Sequence, residues 1–177
     1  YSMFGFQRTH DLAWAAGDSR ARGFLLGATS GRTTLNGEGL QHQDGHSHIL
    51  AATIPNCKSY DPCYSYELAA IVHEGINDMY VVGNDRYYYI TLMNENYAHP
   101  AKPEKLKNEQ ILKGGYKLKQ NRNSNHRILA SGVTLNFALE AEKELKKFGI
   151  RSDIWSITSF NELYKDGIET ERENRLN

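Results

Sequence analysis

The sequence predicts an α/β protein in which a parallel sheet with flanking helices is followed by the start of a second α/β unit. Two runs, at residues 22–29 and 86–93, are rich in apolar, aromatic or β-branched residues, as strands are. The first is almost continuously apolar, which is typical of a parallel strand covered on both faces. Between them, residues 61–80 carry apolar side chains at helical spacing. This alternation of strand, helix and strand predicts a βαβ unit.

Composition limits the class of protein. Of 177 residues, 40% are hydrophobic and 24% are charged, which is typical of a soluble globular protein. The 21 lysines and arginines balance 21 aspartates and glutamates, so no net field favours nucleic acid or an anionic membrane as a partner. No apolar run approaches the roughly 20 residues that cross a bilayer. Cys57 and Cys63 are too few for a disulfide framework and are predicted to be reduced thiols in a cytoplasmic protein.

The remaining elements of the first unit are short. Helices are predicted over residues 7–21 and 45–52, and a strand over residues 57–60. Asp61 and Pro62 then predict the start of the long helix, because aspartate can cap free amides and proline is tolerated in the first turn.

The long helix and the strand after it supply the predicted core. In that strand, the rings of Tyr87, Tyr88 and Tyr89 are expected to face alternate sides of the sheet, because side chains alternate along a strand. The buried stripe of the helix is predicted to consist of Leu68, Ile71, Val72, Ile76 and Met79.

The composition changes at residue 94. Residues 94–115 contain Pro100, Pro103 and several lysines without apolar periodicity, which predicts a connecting segment. Beyond it we predict a hairpin of strands at 116–120 and 127–131, a helix at 133–148, a strand at 152–157 and the start of a helix at 161.

Residues 31–48 are the stretch most suited to chemistry. They hold four glycines and three of the seven histidines, His42, His46 and His48. So few large apolar side chains predict a long loop, and long loops in compact domains are usually functional or disordered. The loop follows the carboxyl end of the predicted first strand, where open α/β sheets bind ligands. We therefore expect a site in this loop.

The residues alone leave three interpretations of these histidines open. His42, His46 and His48 could ligate zinc, as in a zinc-dependent hydrolase. They could instead bind substrate or move protons, because imidazoles titrate near neutral pH. In a non-catalytic interaction domain they would be ordinary loop side chains bonded to the backbone. A dinucleotide site is disfavoured, because Gly37-x-Gly39 lacks the third glycine and the following helix of that fingerprint.

Six stretches are distinctive: residues 1–8, 29–48, 54–56, 88–90, 94–97 and 156–163. Together they resemble the homodimeric type of pyruvate dehydrogenase, the thiamine diphosphate-dependent decarboxylase component of the pyruvate dehydrogenase complex. Transketolases are more distantly similar and carry a histidine twelve residues before Ile-Pro-Asn, with Phe-x-x-Phe further upstream. His42 stands twelve residues before Ile54, and Tyr1 and Phe4 fall on the two aromatic positions.

The resemblance implies roles for single residues. Phe4 corresponds to the aromatic that stacks on the aminopyrimidine ring of the cofactor. Tyr1 corresponds to an active-site hydroxyl near the cofactor and the substrate carboxylate. His42 corresponds to the catalytic imidazole that faces the reactive carbon of the cofactor and binds pyruvate. The implied reaction is the oxidative decarboxylation of pyruvate with reductive acetylation of lipoyl groups on dihydrolipoyl acetyltransferase.

The resemblance also implies a transketolase-like fold and a longer protein. The cofactor-activating glutamate and the ligands of Mg²⁺ and of the diphosphate are expected outside this chain, so no residue here is assigned to a metal. Residues 1–100 would be the later half of the pyrimidine-binding domain, 101–115 a linker and 116–177 the first half of the carboxyl-terminal domain. Such a fragment is expected to be inactive alone. Its implied partners are the second subunit of a homodimer and the lipoyl domain of the acetyltransferase.

Overall fold

A computed structural model of the chain describes residues 3–27, 46–93 and 95–176, with side chains from residue 6 onward. The elements around the first sheet are α1 (Met3–Arg8), α2 (His10–Asp18), β1 (Phe24–Gly27), α3 (Ser47–Ala52), β2 (Cys57–Tyr60), α4 (Ser65–Ile76) with a π-helical turn (Asn77–Val81), and β3 (Tyr87–Thr91). Those around the second are α5 (Asn108–Leu112), β4 (Tyr116–Lys119), β5 (His126–Ala130), α6 (Thr134–Lys147), β6 (Ser152–Ser156) and α7 (Phe160–Leu176).

The first sheet has the strand order β1-β3-β2, and both strand pairs are parallel. Helix α4 connects β2 to β3, which confirms the predicted βαβ unit. Because β3 lies at the centre, all five of its residues are buried. The carboxyl ends of the three strands therefore meet along one edge of the sheet, which is called the carboxyl edge below.

The three tyrosines of β3 divide between the two faces of the sheet, as predicted. Tyr88 stacks on Tyr60 with ring centroids 6.1 Å apart, in the cluster that includes Ile71 of α4. Tyr87 and Tyr89 belong to the cluster on the opposite face. The alternation of side chains along a strand thus builds two separate cores from one run of sequence.

Strand β1 is less covered than the sequence predicts. Leu25 and Leu26 are 41% and 51% exposed, so the prediction of a strand buried on both faces is wrong. Among the described residues β1 and β2 are both edge strands, but α3 and α7 pack against β2 and cover it. Phe24 does pack inward, against α4 at Gly75, where an added Cβ would lie 2.6 Å from the Phe24 ring.

Helix α4 begins later than the sequence predicts, at Ser65 rather than at Asp61-Pro62. The capping carboxyl belongs to Glu67, whose Oε2 accepts hydrogen bonds from the backbone N–H groups of Cys63 and Tyr64 at 2.6 and 2.9 Å. A glutamate in the first turn that reaches back in this way fixes the start of a helix.

The predicted hairpin is wrong. Strand β6 lies between β4 and β5, antiparallel to β4 and parallel to β5. The strand around Ile154, which is fully buried, is the best covered of the three and takes the centre. The polar turn does not close β4 onto β5, because the Asn121 amide donates to the Ser152 carbonyl of β6 at 2.6 Å.

The helices of the second half follow the sequence pattern more closely. Helix α6 agrees with its prediction and buries Leu135 and Ala138 against the sheet. Helix α7 runs much further than its predicted start, and none of its residues is fully buried. The predicted connecting segment contains α5, in which Ile111 is completely buried. None of the helices in the described ranges is long and apolar enough to cross a membrane.

Glu67 joins the two sheets. It is fully buried, and its Oε1 accepts hydrogen bonds from the Tyr116 hydroxyl of β4 at 2.7 Å and the Ser156 hydroxyl of β6 at 2.6 Å. The same carboxyl group therefore caps α4 and receives two donors from the second sheet. A buried carboxylate is stable only when such donors surround it.

Replacing Glu67 with glutamine should lower the free energy of unfolding by about 2 kcal/mol or more. Both oxygens of the Glu67 carboxylate accept hydrogen bonds, and the NH₂ group of glutamine would place a donor against the donors at one of these positions. Urea denaturation followed by circular dichroism measures the change. Glu173→Gln on the exposed face of α7 is the matched control and should change the free energy by less than about 0.5 kcal/mol. If the two variants had equal free energies of unfolding, the hydrogen bonds of Glu67 to the second sheet would not stabilise the fold as proposed.

Candidate functional site

Three polar side chains meet at the carboxyl edge of the first sheet. His48 comes from α3, Asp61 directly follows β2, and Thr91 ends β3. The Nε2 atom of His48 lies 2.9 Å from Thr91 Oγ1, and the Thr91 hydroxyl donates to Asp61 Oδ1 at 2.6 Å. The parallel topology brings these residues together, although they are far apart in sequence.

The second sheet completes the surroundings of Asp61. The Ser131 hydroxyl, which follows β5, donates to Asp61 Oδ2 at 2.7 Å. The Asp61 backbone N–H donates to the Thr158 carbonyl at 2.7 Å, and its carbonyl accepts from the Gly132 N–H at 3.1 Å. Gly132 has a positive φ of 51°, and a Cβ there would lie 2.7 Å from the Asp61 carboxylate. Only glycine therefore fits this close approach without strain.

A cavity of about 130 Å³ opens beside these groups. At the volume of about 30 Å³ per water in the liquid, it has room for roughly four waters, so it could hold only a small part of a ligand. The Asn161 amide closes one side by donating to the His48 carbonyl at 2.8 Å and to the Ser59 hydroxyl. The lining residues are His48, Asp61, Ser131, Ser159, Phe160 and Asn161.

Helix α1 approaches the same edge through aromatic contacts. The Phe6 ring lies 4.8 Å from the Tyr89 ring, and the Tyr89 ring lies 5.3 Å from the His48 ring. Helix α1 also packs against α3. The backbone of Phe4 belongs to α1, so this residue lies on an element next to the cavity-lining histidine.

Most of the site residues predicted from sequence lie beyond what the structure describes. Tyr1 and His42 fall outside the described residues, and so does the side chain of Phe4. Of the other two loop histidines, His48 lines the cavity, whereas His46 is exposed and precedes α3. The structure thus brings one predicted histidine into the site.

The zinc interpretation receives no support from the described ranges. In those ranges, no three histidine, cysteine, aspartate or glutamate side chains come close enough to hold a metal ion. His42, one of the three histidines in the zinc interpretation, lies outside the described residues.

Sequence reasoning missed Asp61, Thr91 and Ser131 as site residues. The sequence pattern predicts a helix cap at Asp61. Asp61 also directly follows a strand, and a polar residue at the carboxyl end of a parallel strand is a recognisable signal of a site. Ser131 also directly follows a strand. Thr91 carried no comparable signal, because threonine is common within strands.

The two cysteines are free, as predicted, and the structure shows that both are buried. Burial raises the pKa of Cys57 to about 11 and that of Cys63 to about 12. Both thiols are therefore protonated near neutral pH, and neither is suited to act as a nucleophile.

Comparison with solved structures defines the class of fold. A transketolase variant from Pichia stipitis superimposes with a TM-score of 0.76 at 19% identity, covering 93% of this chain and 23% of that one. Transketolase from Campylobacter jejuni also gives 0.76, at 18% identity and 93% and 24% coverage. The chain therefore has a transketolase-like α/β fold, as the resemblance implied.

Comparison with protein families then gives the particular family. The model of the pyruvate dehydrogenase E1 component middle domain matches residues 1–100, and that of the transketolase-like C-terminal domain matches residues 114–175. The chain is 59% identical to the pyruvate dehydrogenase E1 component of Pseudomonas aeruginosa and 57% identical to that of Escherichia coli, over 99% of its own length. It belongs to the pyruvate dehydrogenase E1 component family. It spans 20% of the length of each of these relatives.

Both cysteines should resist alkylation in the folded protein. At pH 8, a thiol with a pKa of about 11 is ionised in only about one molecule in a thousand. Iodoacetamide labelling at pH 8, followed by peptide mass spectrometry, should leave Cys57 and Cys63 unmodified until a denaturant is added. Labelling of either thiol in the native protein at the rate of a free cysteine would contradict this result.

Proposed function

We propose that this chain forms part of an enzyme that catalyses the thiamine diphosphate-dependent oxidative decarboxylation of pyruvate and the reductive acetylation of lipoyl groups on dihydrolipoyl acetyltransferase. The observation that carries this proposal is the identity of 59% and 57% to two pyruvate dehydrogenase E1 components over 99% of the chain. The polar carboxyl edge with its cavity supports it, because open α/β sheets bind ligands there.

The residues near this edge fit one side of a thiamine diphosphate site. When bound, the cofactor supplies the electron sink that allows carbon dioxide to leave. Phe4 would hold the aminopyrimidine ring by stacking, and its helix α1 packs next to α3 at the carboxyl edge. The imidazole of His48 and the amide of Asn161 offer polar groups on the same side. Ligands of Mg²⁺ and of the diphosphate would come from polypeptide outside this chain.

His42 and Tyr1 would act on pyruvate. An imidazole can donate a hydrogen bond to the pyruvate carbonyl oxygen as negative charge develops there, and it can move a proton near neutral pH. The Tyr1 hydroxyl would orient the substrate carboxylate. The position of His42 in the chain supports its role, because it shortly precedes His48, which lines the cavity.

The domain assignment and the partners belong to the same proposal. Residues 1–100 form the later half of a pyrimidine-binding domain, 101–115 a linker and 116–177 the first half of a carboxyl-terminal domain. The bounds of the two family matches support this division. The active site would be completed by a second subunit of a homodimer, and the lipoyl domain would receive the acetyl group. The two free cysteines are consistent with a cytoplasmic location.

Replacing His42 with alanine in the full protein should lower kcat for pyruvate decarboxylation at least about 100-fold, because general acid–base groups contribute rate factors of this size. The dissociation constant for thiamine diphosphate should stay within about two-fold of the wild-type value, since the imidazole acts on the substrate. Steady-state kinetics and calorimetry measure the two quantities. His126→Ala, at an exposed position on β5, is the control. Wild-type turnover in the His42 variant would refute this role.

Replacing Phe4 with alanine should weaken thiamine diphosphate binding by about 1 kcal/mol or more, which is about five-fold in the dissociation constant, because stacking and burial are lost. Calorimetric titration of the full protein measures this change. Phe148→Ala provides a matched control, because Phe148 is 80% exposed. Unchanged affinity in the Phe4 variant would remove Phe4 from the cofactor site.

A further inference from the structure

A short stretch of chain lies beside the start of helix α4. Residues 95–100 follow strand β3 and contain no helix or strand of their own, and they are called the strap below. The strap and the chain at the start of α4 together line a cavity of about 340 Å³. The contacts of the strap therefore decide how open this cavity is. The strap supplies Glu95, Tyr97 and His99 to the lining, and the start of α4 supplies Cys63, Tyr64 and Ser65.

His99 attaches the strap to α4 through one ring nitrogen. The backbone N–H of Ser65 donates to His99 Nδ1 at 3.1 Å. Ser65 is the first residue of α4, so its N–H has no partner within the helix. A backbone N–H can only donate, so Nδ1 must present a lone pair. The bond therefore exists only while Nδ1 carries no proton.

Two tyrosines complete the attachment. The His99 ring stacks on the Tyr97 ring with centroids 4.7 Å apart and forms an edge contact with the Tyr64 ring at 6.4 Å. The Tyr97 hydroxyl donates to the Cys63 carbonyl. Burial raises the pKa of both tyrosines above the ordinary range. Both rings therefore stay neutral whether or not His99 gains a proton.

Protonation of His99 would break its bond to Ser65. A proton on Nδ1 places two donors against each other at 3.1 Å. It also places a positive charge at the amino end of α4, where the helix dipole is positive. Only the released strap accepts the proton without these costs, and imidazoles gain protons between pH 8 and pH 5. Acid therefore favours release of the strap.

The neighbouring acidic groups do not replace the lost bond. The Glu67 carboxylate already accepts from two backbone N–H groups and two hydroxyls. Glu95 is exposed, and exposed charges interact weakly across water and salt. Burial raises the pKa of the Cys63 thiol to about 12, so this thiol is uncharged. Neither carboxylate is thus placed to hold a protonated His99 in its present position.

We propose that His99 is a pH-sensitive switch that holds the strap against the start of α4 at pH 8 and releases it in mild acid, which exposes Cys63. In the closed form, Cys63 is only 3% exposed. The strap lies between β3 and α5 in the chain, so the switch acts on the connection between the two sheets. This inference is independent of the proposed function, because neither pyruvate nor cofactor takes part in it.

Release is measured in the full protein by the reaction of Cys63 with dithiodipyridine, a disulfide that modifies thiols in mild acid as well as at pH 8. Cys57 is the internal control, because it packs in the core that contains Tyr87 and Tyr89, and unfolding of the whole protein would expose both thiols. Peptide mass spectrometry gives the ratio of the Cys63 rate to the Cys57 rate. We expect this ratio to rise about ten-fold between pH 8 and about pH 5.5, because one hydrogen bond is lost and an unfavourable charge is placed at the helix end.

Two variants at position 99 separate the switch from other effects of pH. His99→Asn places an amide oxygen where Nδ1 accepts, and an amide does not titrate. Its ratio should therefore stay within about two-fold of the wild-type value at pH 8 and should not change in acid. His99→Ala removes the acceptor, so its ratio should be about ten-fold higher already at pH 8. Because His99 is exposed, both variants should fold, and circular dichroism checks this.

Three results would each overturn the proposal. The first is a wild-type ratio that is the same at both pH values. The second is a His99→Asn variant that keeps the full pH dependence of the wild-type protein, since another group would then be responsible. The third is a His99→Ala variant with the wild-type ratio at pH 8, since the strap would then stay closed without the bond to Ser65.

Discussion

Two carboxyl groups that lie between the sheets constrain the whole structure. Glu67 is fully buried and Asp61 lines the cavity. Each carboxyl group accepts hydrogen bonds from donors in both halves of the chain. Removing a carboxylate from water without such donors would cost several kcal/mol. The sheets must therefore meet in one arrangement, with the ends of β2 and β5 beside each other. This arrangement also creates the cavity that His48 lines.

The same constraint explains which local features were predictable. Helix α6, strand β2 and the βαβ unit depend on periodicity and turn residues that lie within a short stretch of sequence, and all of them agree with prediction. The prediction of a hairpin was wrong because β6, which pairs with both β4 and β5, comes after them in the chain. The predicted start of α4 was wrong because the Asp61 carboxylate, which could cap a helix, instead accepts a hydrogen bond from Ser131 in a distant part of the sequence. Long-range hydrogen bonds override local preference in both cases.

The site shows a similar limit. A loop rich in glycine and histidine after a strand could be recognised from sequence, and it led to His48 as one of three candidates. Thr91 could not be recognised, because its role depends on the parallel register that brings β3 beside β2. Family resemblance added Tyr1, Phe4 and His42, whose roles come from likeness rather than from pattern. The structure thus identifies His48 and Thr91 as site residues, whereas Tyr1, Phe4 and His42 are assigned from the family resemblance.

The close contact between Phe24 and Gly75 has a consequence for how this family can vary. A side chain at position 75 would overlap the Phe24 ring, because an added Cβ would lie 2.6 Å from it. Helix and strand cannot separate easily, since α4 is anchored at its start by Glu67. A homologue that replaces this glycine should therefore carry a smaller residue at the position of Phe24. We expect the two positions to covary over evolution, with their combined volume conserved.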